Sequence, residues 1–382
     1  MKVEVAIVGG GVVGTSIAYH LCLLGERNVM LLESGRIGGG TTWRGVGGLR
    51  TLFAHRLEAE LSLHSLDAYL RLERASGRSF GFRRCGYLLL ATSPQRVLAL
   101  TNATANAAAL ALPVEELSEA ELARLAPGLR VADVRKAVFS PADGCILQPA
   151  APAQVYAELA ARSGASFVEH APVTEIRRGP NGFALRFGDQ TCHAAQLVIA
   201  ANAFAGPLLE QLGVSLPSYP YPRHVFSLAP APLELNWGMP IVVFQDEDLM
   251  LRHDGQIVTL ICGLRQQSTL DSSLTPDQLS LVRERVTRRV DPGGAVLSSL
   301  WSGIRAMTPD RRALIGRVPG VPGAWCAIGF SGHGIMHAPA VGLAMAEWLR
   351  TGSSQRFNLS PLAPDRLGPA VSPPPVLEPG HQ

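Results

Sequence analysis

Apolar residues near the start of the chain pass from a continuous run to a helical spacing within a few positions. The run Val3–Val8 predicts a short buried strand of the kind found in parallel sheets. Apolar residues then recur at intervals of three and four from Val13 to Leu24, which predicts a helix. A second apolar run, NVMLLE, predicts a strand that ends at Glu33. Strand, helix and strand in this order form the βαβ unit of an α/β fold.

Three glycines occupy the turn between the first strand and the helix. Gly9, Gly11 and Gly14 make the pattern G-x-G-x-x-G, in which the first shapes the turn, the second lets a pyrophosphate approach and the third lets the helix pack on the strand. Glu33 follows about twenty residues later, where a carboxylate can accept hydrogen bonds from the ribose hydroxyls of an adenosine. These residues predict a dinucleotide site, and NADP is disfavoured because its extra phosphate would face Glu33.

The segment after Glu33 helps to distinguish between dinucleotides. It reads SGRIGGGTTWRGVGGLR, rich in glycine and hydroxyl residues where a simple NAD domain would begin its next helix. We interpret it as an extended loop that lies along a larger cofactor, which favours FAD. No second G-x-G-x-x-G follows, so one dinucleotide site is expected. The alternatives are an NAD-dependent dehydrogenase and a glycine-rich turn that binds no nucleotide.

The middle of the chain alternates between helical and strand patterns. Helices are predicted at Leu57–Leu72, Thr101–Leu112, Ser118–Leu125 (with Ser118 and Glu121 as a capping box), Pro152–Ser163 and Pro276–Val290. Strands are predicted at Gly86–Ala91 and Ser166–Glu169, as a hairpin around Gly179–Gly182, and in LVIAANAFA. The last of these returns the chain to the nucleotide site, where Asn202 either faces the ligand or satisfies local backbone groups.

Composition narrows the class of protein. The 382 residues are 47% hydrophobic and 17% charged, which suits one or two globular domains. The net charge is +3 without a basic patch, so no nucleic-acid partner is expected. Six cysteines without a C-x-x-C spacing argue against zinc, a disulfide framework and a redox pair, and they favour a reducing, cytoplasmic location. Neither a signal peptide nor a membrane span is expected, because no apolar run reaches about 18 residues.

Four segments together resemble one superfamily of flavoenzymes. AIVGGGVVGTSIAYHL…LLES, APVTEI…LVIAANAFA, WSGIRAMTPDRRALIG and GFSGHGIMHAPAVG are similar to the FAD-dependent D-amino acid oxidase superfamily, in the branch of sarcosine oxidase, glycine oxidase and the beta subunits of proline dehydrogenase. The resemblance extends from Met1 to about Arg350. It implies an α/β (α+β) chain of two domains, a Rossmann-like FAD-binding domain and a substrate domain with an antiparallel sheet.

The resemblance also implies how the chain is divided. The FAD-binding domain is expected to be discontinuous, assembled from residues 1–85, 145–215 and 310–351, and the substrate domain from residues 86–144 and 216–309. Residues 352–382 are dense in proline and lack periodicity, so we expect a poorly ordered tail.

FAD is expected to contact both ends of the chain. The residues assigned to it are Gly9, Gly11, Val12, Val13, Gly14, Glu33, Ser34, Gly40, Thr41, Thr42, Trp43, Val173, Ala201, Asn202, Gly303, Gly329, Gly332, His333, Gly334, Ile335 and Met336. The glycine-rich loop before the last helix is expected to wrap the flavin ring, with His333 donating to the ring or only ordering the loop. Pro339 is expected in the first turn of that helix. The helix dipole would stabilise the charge that develops on the flavin during the reaction.

The activity implied is oxidation of the C–N bond of an amino acid or secondary amine, such as glycine, sarcosine, proline or a D-amino acid, by hydride transfer to flavin N5 with formation of an imine. Arg50 and Arg305 are the expected anchors for the carboxylate, since a guanidinium offers a bidentate fork and a constant charge. Arg265 is a third candidate, and His333 joins the first two as expected catalytic residues. The alternative for each anchor is a surface or phosphate-facing arginine. The rival function is a flavin-bearing, non-catalytic subunit of a hetero-oligomer, and homo-oligomers are equally open.

Several positions depart from the family pattern. Met336 replaces a lysine that binds the substrate carboxylate in sarcosine oxidases, and Arg265 replaces a lysine associated with the reaction of reduced flavin with O2. O2 and another electron acceptor therefore both stay open. The cysteine that binds flavin covalently would fall near Ala306 or Met307, and Arg44 stands where other members carry a flavin-linked histidine. Non-covalent FAD is the expectation.

The need for a general base is also open. None is required if the amine binds uncharged. Otherwise the candidates are His55, His224, His253 and His333. His64 is interpreted as structural, and His337 as facing the substrate or capping the last helix.

Overall fold

The computed structural model describes residues 1–235 and 238–368, and its strands form two eight-stranded sheets and one three-stranded sheet. The strands are β1 (Lys2–Val8), β2 (Val29–Leu32), β3 (Gly48–Leu49), β4 (Phe82–Arg83), β5 (Tyr87–Ala91), β6 (Glu115–Glu116), β7 (Lys136–Ser140), β8 (Gly144–Ile146), β9 (Ser166–Val168), β10 (Val173–Gly179), β11 (Gly182–Phe187), β12 (Gln190–Ile199), β13 (Tyr219–Ala229), β14 (Ile241–Phe244), β15 (Leu249–His253), β16 (Val258–Ile261), β17 (Val296–Met307), β18 (Leu314–Arg317) and β19 (Ala324–Ile328). The helices are α1 (Val12–Leu23), α2 (Arg56–Ser76), α3 (Pro94–Ala109), α4 (Glu119–Leu125), α5 (Ala151–Arg162), α6 (Gly206–Glu210), α7 (Pro276–Arg289) and α8 (Gly334–Thr351), with 3₁₀ turns at Asn202–Phe204, Ser360–Leu362 and Pro364–Leu367. Within these described ranges, no helix has both the length and the apolar character needed to cross a membrane.

The first sheet is built around β1, which pairs in parallel with β2 on one side and with β12 on the other. β9 extends the parallel set beyond β2, and β19 extends it beyond β12. The antiparallel strands β10, β11 and β18 complete the sheet. Successive residues of β1 and β2 are buried alternately in two different apolar cores, one on each face of the sheet. Burial on both faces explains why these strands read as continuous apolar runs.

The second sheet has the strand order β17-β13-β16-β15-β14-β5-β7-β6. Its neighbouring strands are antiparallel with one exception, since β14 runs parallel to β5. The expected antiparallel sheet therefore contains one parallel pair. After β5 the chain contributes strands to the first sheet, and it then returns to the second sheet as β14 beside β5. One face of this second sheet shares an apolar core with α7, and the other face borders a cavity.

Most of the predicted elements are confirmed. α2 covers the helix predicted at Leu57–Leu72, and α5 and α7 agree with their predicted bounds to within one residue. The capping box at α4 is present, with the Ser118 hydroxyl accepting from the Glu121 N–H and the Glu121 carboxylate accepting from the Ser118 N–H. The hairpin of β10 and β11 turns at Gly179 and Gly182.

The prediction for the start of α3 is wrong. The helix begins at Pro94 rather than at Thr101, and the hydroxyl of Ser93 accepts a hydrogen bond of 3.3 Å from the Arg96 N–H. Serine at the cap followed by proline at the first helical position is a strong start signal, because proline has no N–H to leave unpaired there. The spacing of apolar residues predicts a start for α3 that is too late in the chain, because the first turn of this helix carries few apolar residues.

The prediction for Pro339 is also wrong. α8 begins at Gly334, so Pro339 lies beyond the first turn, inside the helix. Proline cannot donate to the carbonyl oxygen four residues earlier, which belongs to Ile335. The hydroxyl of Tyr69, on α2, donates to that oxygen instead, at 2.8 Å. A side chain from a neighbouring helix therefore replaces the lost backbone hydrogen bond.

The first part of the expected disordered tail is packed on the fold. Leu359 and Leu362 are buried, and Arg366 forms an ion pair with Asp310, the two closest atoms being 2.9 Å apart. These apolar side chains give the segment after α8 a contact surface that its proline content does not reveal. The rest of the tail, residues 369–382, lies outside the described residues.

The turn between β1 and α1 needs glycine for two separate reasons. Gly9 has a φ of +113°, a backbone conformation that side chains disfavour. A Cβ on Gly14 would lie 2.0 Å from the carbonyl oxygen of Gly9, so the helix rests directly on the turn. Similar packing recurs between α1 and α8, where a Cβ on Gly342 would lie 2.1 Å from the Oγ of Ser16. These contacts agree with the predicted roles of Gly9 in the turn and Gly14 in helix packing.

We expect Gly14→Ala to lower the free energy of unfolding by about 1–3 kcal/mol, because the new methyl group forces α1 away from β1. Urea unfolding followed by circular dichroism measures the loss. Gly206→Ala is the matched control, since a Cβ on this glycine would meet nothing within 4 Å. An equal effect of the two substitutions would contradict the packing described for Gly14.

Candidate active site

A cavity of about 240 Å³ lies between the first sheet and the open face of the second sheet. The segments that follow the carboxyl ends of three parallel strands line it, with Gly11 after β1, Asn202 after β12 and Phe330 after β19. Ligands of open α/β sheets bind at this edge. The cavity is therefore the candidate active site.

The structure brings together many of the residues assigned from the sequence. Those that line the cavity are Gly11, Val12, Val13, Thr41, Thr42, Arg50, Asn202, Gly303, Arg305, Gly332, His333, Gly334, Ile335 and Met336. Those found outside its lining are Gly9, Gly14, Glu33, Ser34, Gly40, Trp43, Val173, Ala201, Arg265 and Gly329. The second group includes residues of the turn before α1 and Glu33 at the end of β2, whose carboxylate accepts a hydrogen bond from the Gly10 N–H of that turn.

The N-terminus of α1 opens into the cavity. Gly11 is the cap residue in an extended conformation, and no acidic residue occupies the first turn. The Val12 N–H donates to the hydroxyl of Thr42 at 3.1 Å, which attaches the long loop after β2 to the helix. The Glu33 carboxylate accepts from the N–H groups of Gly10 at 2.6 Å and Gly35 at 2.7 Å. These contacts fix the carboxylate beside the glycine turn.

The N-terminus of α8 opens into the same cavity. The loop before it uses left-handed backbone at Gly329, Ser331 and Gly332. The Ser331 N–H donates to the carbonyl oxygen of Ala306 at 2.9 Å, so the loop is anchored to β17 of the second sheet. A Cβ on Gly332 would meet nothing within 4 Å, which leaves the backbone of the loop accessible.

Arg50 and His333 form one contact in the cavity. The Nη2 atom of Arg50 lies 3.3 Å from Nε2 of His333, and the guanidinium stacks 4.6 Å from the ring centroid of Phe53. Loss of water contact and the charge of Arg50 hold the pKa of His333 well below its usual 6.5. The imidazole is neutral at neutral pH, so its Nε2 accepts from Arg50 and its Nδ1 carries the proton.

Arg305 is a cation that the surrounding protein neutralises only weakly. The Asp248 carboxylate accepts hydrogen bonds of 2.6 and 2.7 Å from Arg223, whereas its distance to Arg305 is 3.9 Å. The buried Nε of Arg305 has no hydrogen-bond partner among the described residues. Burial and the charge of Arg223 lower the pKa of Arg305 to about 9, so the guanidinium stays charged at neutral pH.

Asn202 offers an unpaired acceptor at the end of β12. Its φ of +44° turns the chain sharply, and its side chain lines the cavity. The buried Oδ1 has no hydrogen-bond partner in the ranges that the structure describes. The sequence left two roles open for Asn202. Its Oδ1 atom does not hydrogen-bond to local backbone groups, so this oxygen is available to a ligand in the cavity.

Other candidates lie elsewhere. Arg265 is exposed, and His55 is exposed at the cap of α2. His224 lies 2.7 Å from the hydroxyl of Ser302 through Nδ1. The remaining histidine candidates that lie outside the cavity lining are His64, His253 and His337. Among the sequence candidates for a base, His333 alone belongs to the described lining.

Sequence reasoning missed the Arg223–Asp248 pair and an apolar part of the lining. Arg223 and Val225 lie on the same face of β13 because strand side chains alternate. This alternation in PYPRHVFSL was the available signal. Asp248 lies in the turn before β15, and no local pattern connects it with Arg223.

The chain matches the family described as FAD dependent oxidoreductase (DAO) over residues 4–348. The protein belongs to this family. FAD is therefore its cofactor.

Relatives of this DAO protein fall into two groups by length. It is 28% identical to 4-methylaminobutanoate oxidase (formaldehyde-forming) from Paenarthrobacter nicotinovorans over 92% of this chain, but it spans only 44% of that protein. It is 29% identical to glycine oxidase from Geobacillus kaustophilus (strain HTA426), over 95% of this chain and 96% of that one. The crystal structure of L-proline dehydrogenase from P. horikoshii has a TM-score of 0.86 at 26% identity, covering 96% of this chain and 98% of that one. The chain thus spans less than half the length of some relatives and nearly all of others.

The residues of the cavity fit FAD. Neither α1 nor α8 carries an acidic side chain in its first turn, and both helices start at the lining. Helix N-termini bind anions through unpaired N–H groups and the helix dipole. An elongated cofactor with a diphosphate in its middle and a flavin ring at one end matches two such termini on one cavity.

Asp143 holds the segment that carries Arg50. It is fully buried and accepts hydrogen bonds from the N–H of Thr51 at 3.0 and 3.1 Å and from its hydroxyl at 2.8 Å. Burial raises the pKa of Asp143 to about 6, against the opposing effect of the Thr51 hydrogen bonds.

We expect Asp143→Asn to change how stability depends on pH. A carboxyl whose pKa is raised in the folded state stabilises the fold fully below its ordinary value of 3.8, and this contribution is lost as pH rises through about 6. Asparagine cannot titrate, so the stability of wild type relative to the variant should fall by about 2 kcal/mol between pH 4 and pH 7. Urea unfolding across this range measures the difference. A difference that is independent of pH would contradict the raised pKa.

Proposed function

We propose that this protein oxidises the C–N bond next to the carboxylate of an amino acid or secondary amine. When bound, FAD supplies the acceptor for the two electrons that leave the substrate as a hydride. The observation that carries the proposal is Arg305, a guanidinium with 11% of its side-chain surface exposed, which lines the same cavity as the N-terminus of α8.

Arg305 is suited to bind the substrate carboxylate. Its neighbour Asp248 is already held by two hydrogen bonds from Arg223, so Arg305 retains hydrogen-bonding capacity toward the cavity. A guanidinium binds a carboxylate through two parallel hydrogen bonds, which fixes the orientation of the substrate as well as its affinity. Arg223 and Asp248 act as positioning residues that keep Arg305 in place.

The two helix N-termini are suited to hold the cofactor. The N–H groups at Gly11 and Val13 would bind the diphosphate, together with the hydroxyl hydrogen of Thr42, whose oxygen accepts from the Val12 N–H. The start of α8, at Gly334, would lie beside the flavin ring and stabilise negative charge on it.

The positive charge of the cavity favours a mechanism without a general base. Arg50 and Arg305 both line the cavity, and like charges disfavour an additional cation there. The substrate amine therefore binds in its uncharged form and gives up its proton before the reaction. His333, whose Nε2 faces Arg50, orients that arginine rather than removing a proton.

Anaerobic mixing with amines tests the proposal. A catalytic flavoprotein loses its yellow colour with glycine, sarcosine, proline or a D-amino acid, whereas a non-catalytic flavin-bearing subunit keeps it with every amine. Admission of air then identifies the electron acceptor, since rapid return of colour marks an oxidase and slow return marks a dehydrogenase. Acid precipitation that leaves FAD in the supernatant would support non-covalent attachment, which the residues at 44, 306 and 307 favour.

We expect Arg305→Leu to weaken substrate binding by about 30-fold or more, because loss of one partner from an enclosed charge pair costs about 2–5 kcal/mol. The apparent dissociation constant from the anaerobic reduction kinetics measures this effect. Arg178→Leu, at an exposed arginine of β10, is the control with the same change of charge. If both variants bind substrate as wild type does while retaining FAD, Arg305 is not the carboxylate anchor.

A further inference from the structure

Four apolar side chains form a row across adjacent strands of the second sheet. Val225 of β13 is in register with Ile261 of β16, Ile261 with Met250 of β15, and Met250 with Val243 of β14. All four line the cavity. We call these residues the apolar row.

The apolar row is distinct from the core on the other face of the same sheet. The strand neighbours Leu251 and Leu260 are 0% exposed and belong to the core shared with α7. Met250 and Ile261 each keep 8% of their surface exposed and line the cavity. Val225, Met250 and Ile261 also belong to a second apolar core that includes Leu89, so the row is the part of that core that borders the cavity.

The apolar row begins next to the cationic part of the cavity. Arg223 and Val225 lie on one face of β13, two residues and about 7 Å apart. Arg305, on the neighbouring strand β17, is in register with Tyr221, two residues to the other side of Arg223. One face of the sheet thus changes from charged to apolar within the length of a small amino acid.

We propose that the substrate is an amino acid or secondary amine with a single carboxylate and an apolar group of at least four carbons. The carboxylate lies against Arg305, and the apolar group covers the row. This inference rests on the proposed function and specifies its substrate class.

Smaller substrates and more polar substrates fit the apolar row less well. Glycine and sarcosine carry no apolar group that could pack on the row, and a single added methylene in an apolar pocket changes selectivity by about tenfold or more. A second carboxylate would be placed on the row, where a charge lacks a partner. Arg223 is already paired with Asp248, and Arg50 already contacts His333.

The first test measures binding without turnover. Acetate, 4-methylpentanoate and glutarate are titrated into the FAD-bound protein, and the flavin absorption change gives each dissociation constant. We expect 4-methylpentanoate to bind at least tenfold more tightly than acetate and than glutarate. Tightest binding of glutarate, or equal binding of acetate and 4-methylpentanoate, overturns the inference.

The second test measures anaerobic reduction by sarcosine, iminodiacetate and the two enantiomers of N-methylleucine. We expect the second-order rate constant for one N-methylleucine enantiomer to exceed that for sarcosine at least tenfold. Faster reduction by sarcosine or iminodiacetate overturns this inference and leaves the proposed function intact. Absence of reduction by all of these compounds overturns this inference, and absence of reduction by glycine, proline and D-amino acids as well overturns the proposed function.

Two variants connect the preference with the row. Ile261→Thr replaces the ethyl group of the side chain with a hydroxyl, so we expect the ratio of 4-methylpentanoate to acetate affinity to fall about fivefold or more. Leu251→Val changes the opposite face of the same sheet and should leave the ratio unchanged. Circular dichroism and FAD content verify that both variants fold. An unchanged ratio in a folded Ile261→Thr protein would contradict the role of the row.

Discussion

The close packing of α1 against α8 is the constraint on which the rest of the site depends. Gly342 allows α8 to approach Ser16 of α1 at a distance that no side chain would permit. The first helix follows the first strand of the chain, and the eighth follows the last strand of the same sheet. Because the two helices are in contact, their N-termini open on one cavity rather than on two. Opposite ends of the chain can then bind one cofactor.

The same cavity concentrates positive charge that the protein compensates only in part. Asp248 compensates Arg223 through two hydrogen bonds, whereas Arg305 is 3.9 Å from that carboxylate. Arg50 is held between Phe53 and a neutral His333. Such an arrangement costs free energy unless an anion binds, which is the property expected of a site for an amino acid carboxylate. Under the proposed function, the helix dipoles would act on the cofactor and the guanidiniums on the substrate in the same cavity.

The features that could be predicted from the sequence are those that a local sequence pattern encodes. The G-x-G-x-x-G turn, the acid at the end of β2 and the capping box of α4 each lie within one short segment, and each was found. Arg305 and His333 were found through motifs that resemble a family. The apolar row was not found, because Val225, Val243, Met250 and Ile261 become neighbours only through the register of four strands. A periodicity of two identifies each strand but does not specify which residues face one another across the sheet.

The most direct test of the account is a crystal structure of the protein with FAD. We expect one FAD per chain, with its diphosphate within hydrogen-bonding distance of the N–H groups at the start of α1 and its flavin ring beside residues 332–334 before α8. A flavin ring bound away from α8, or a diphosphate bound away from α1, would contradict the claim that the two helices hold a single cofactor.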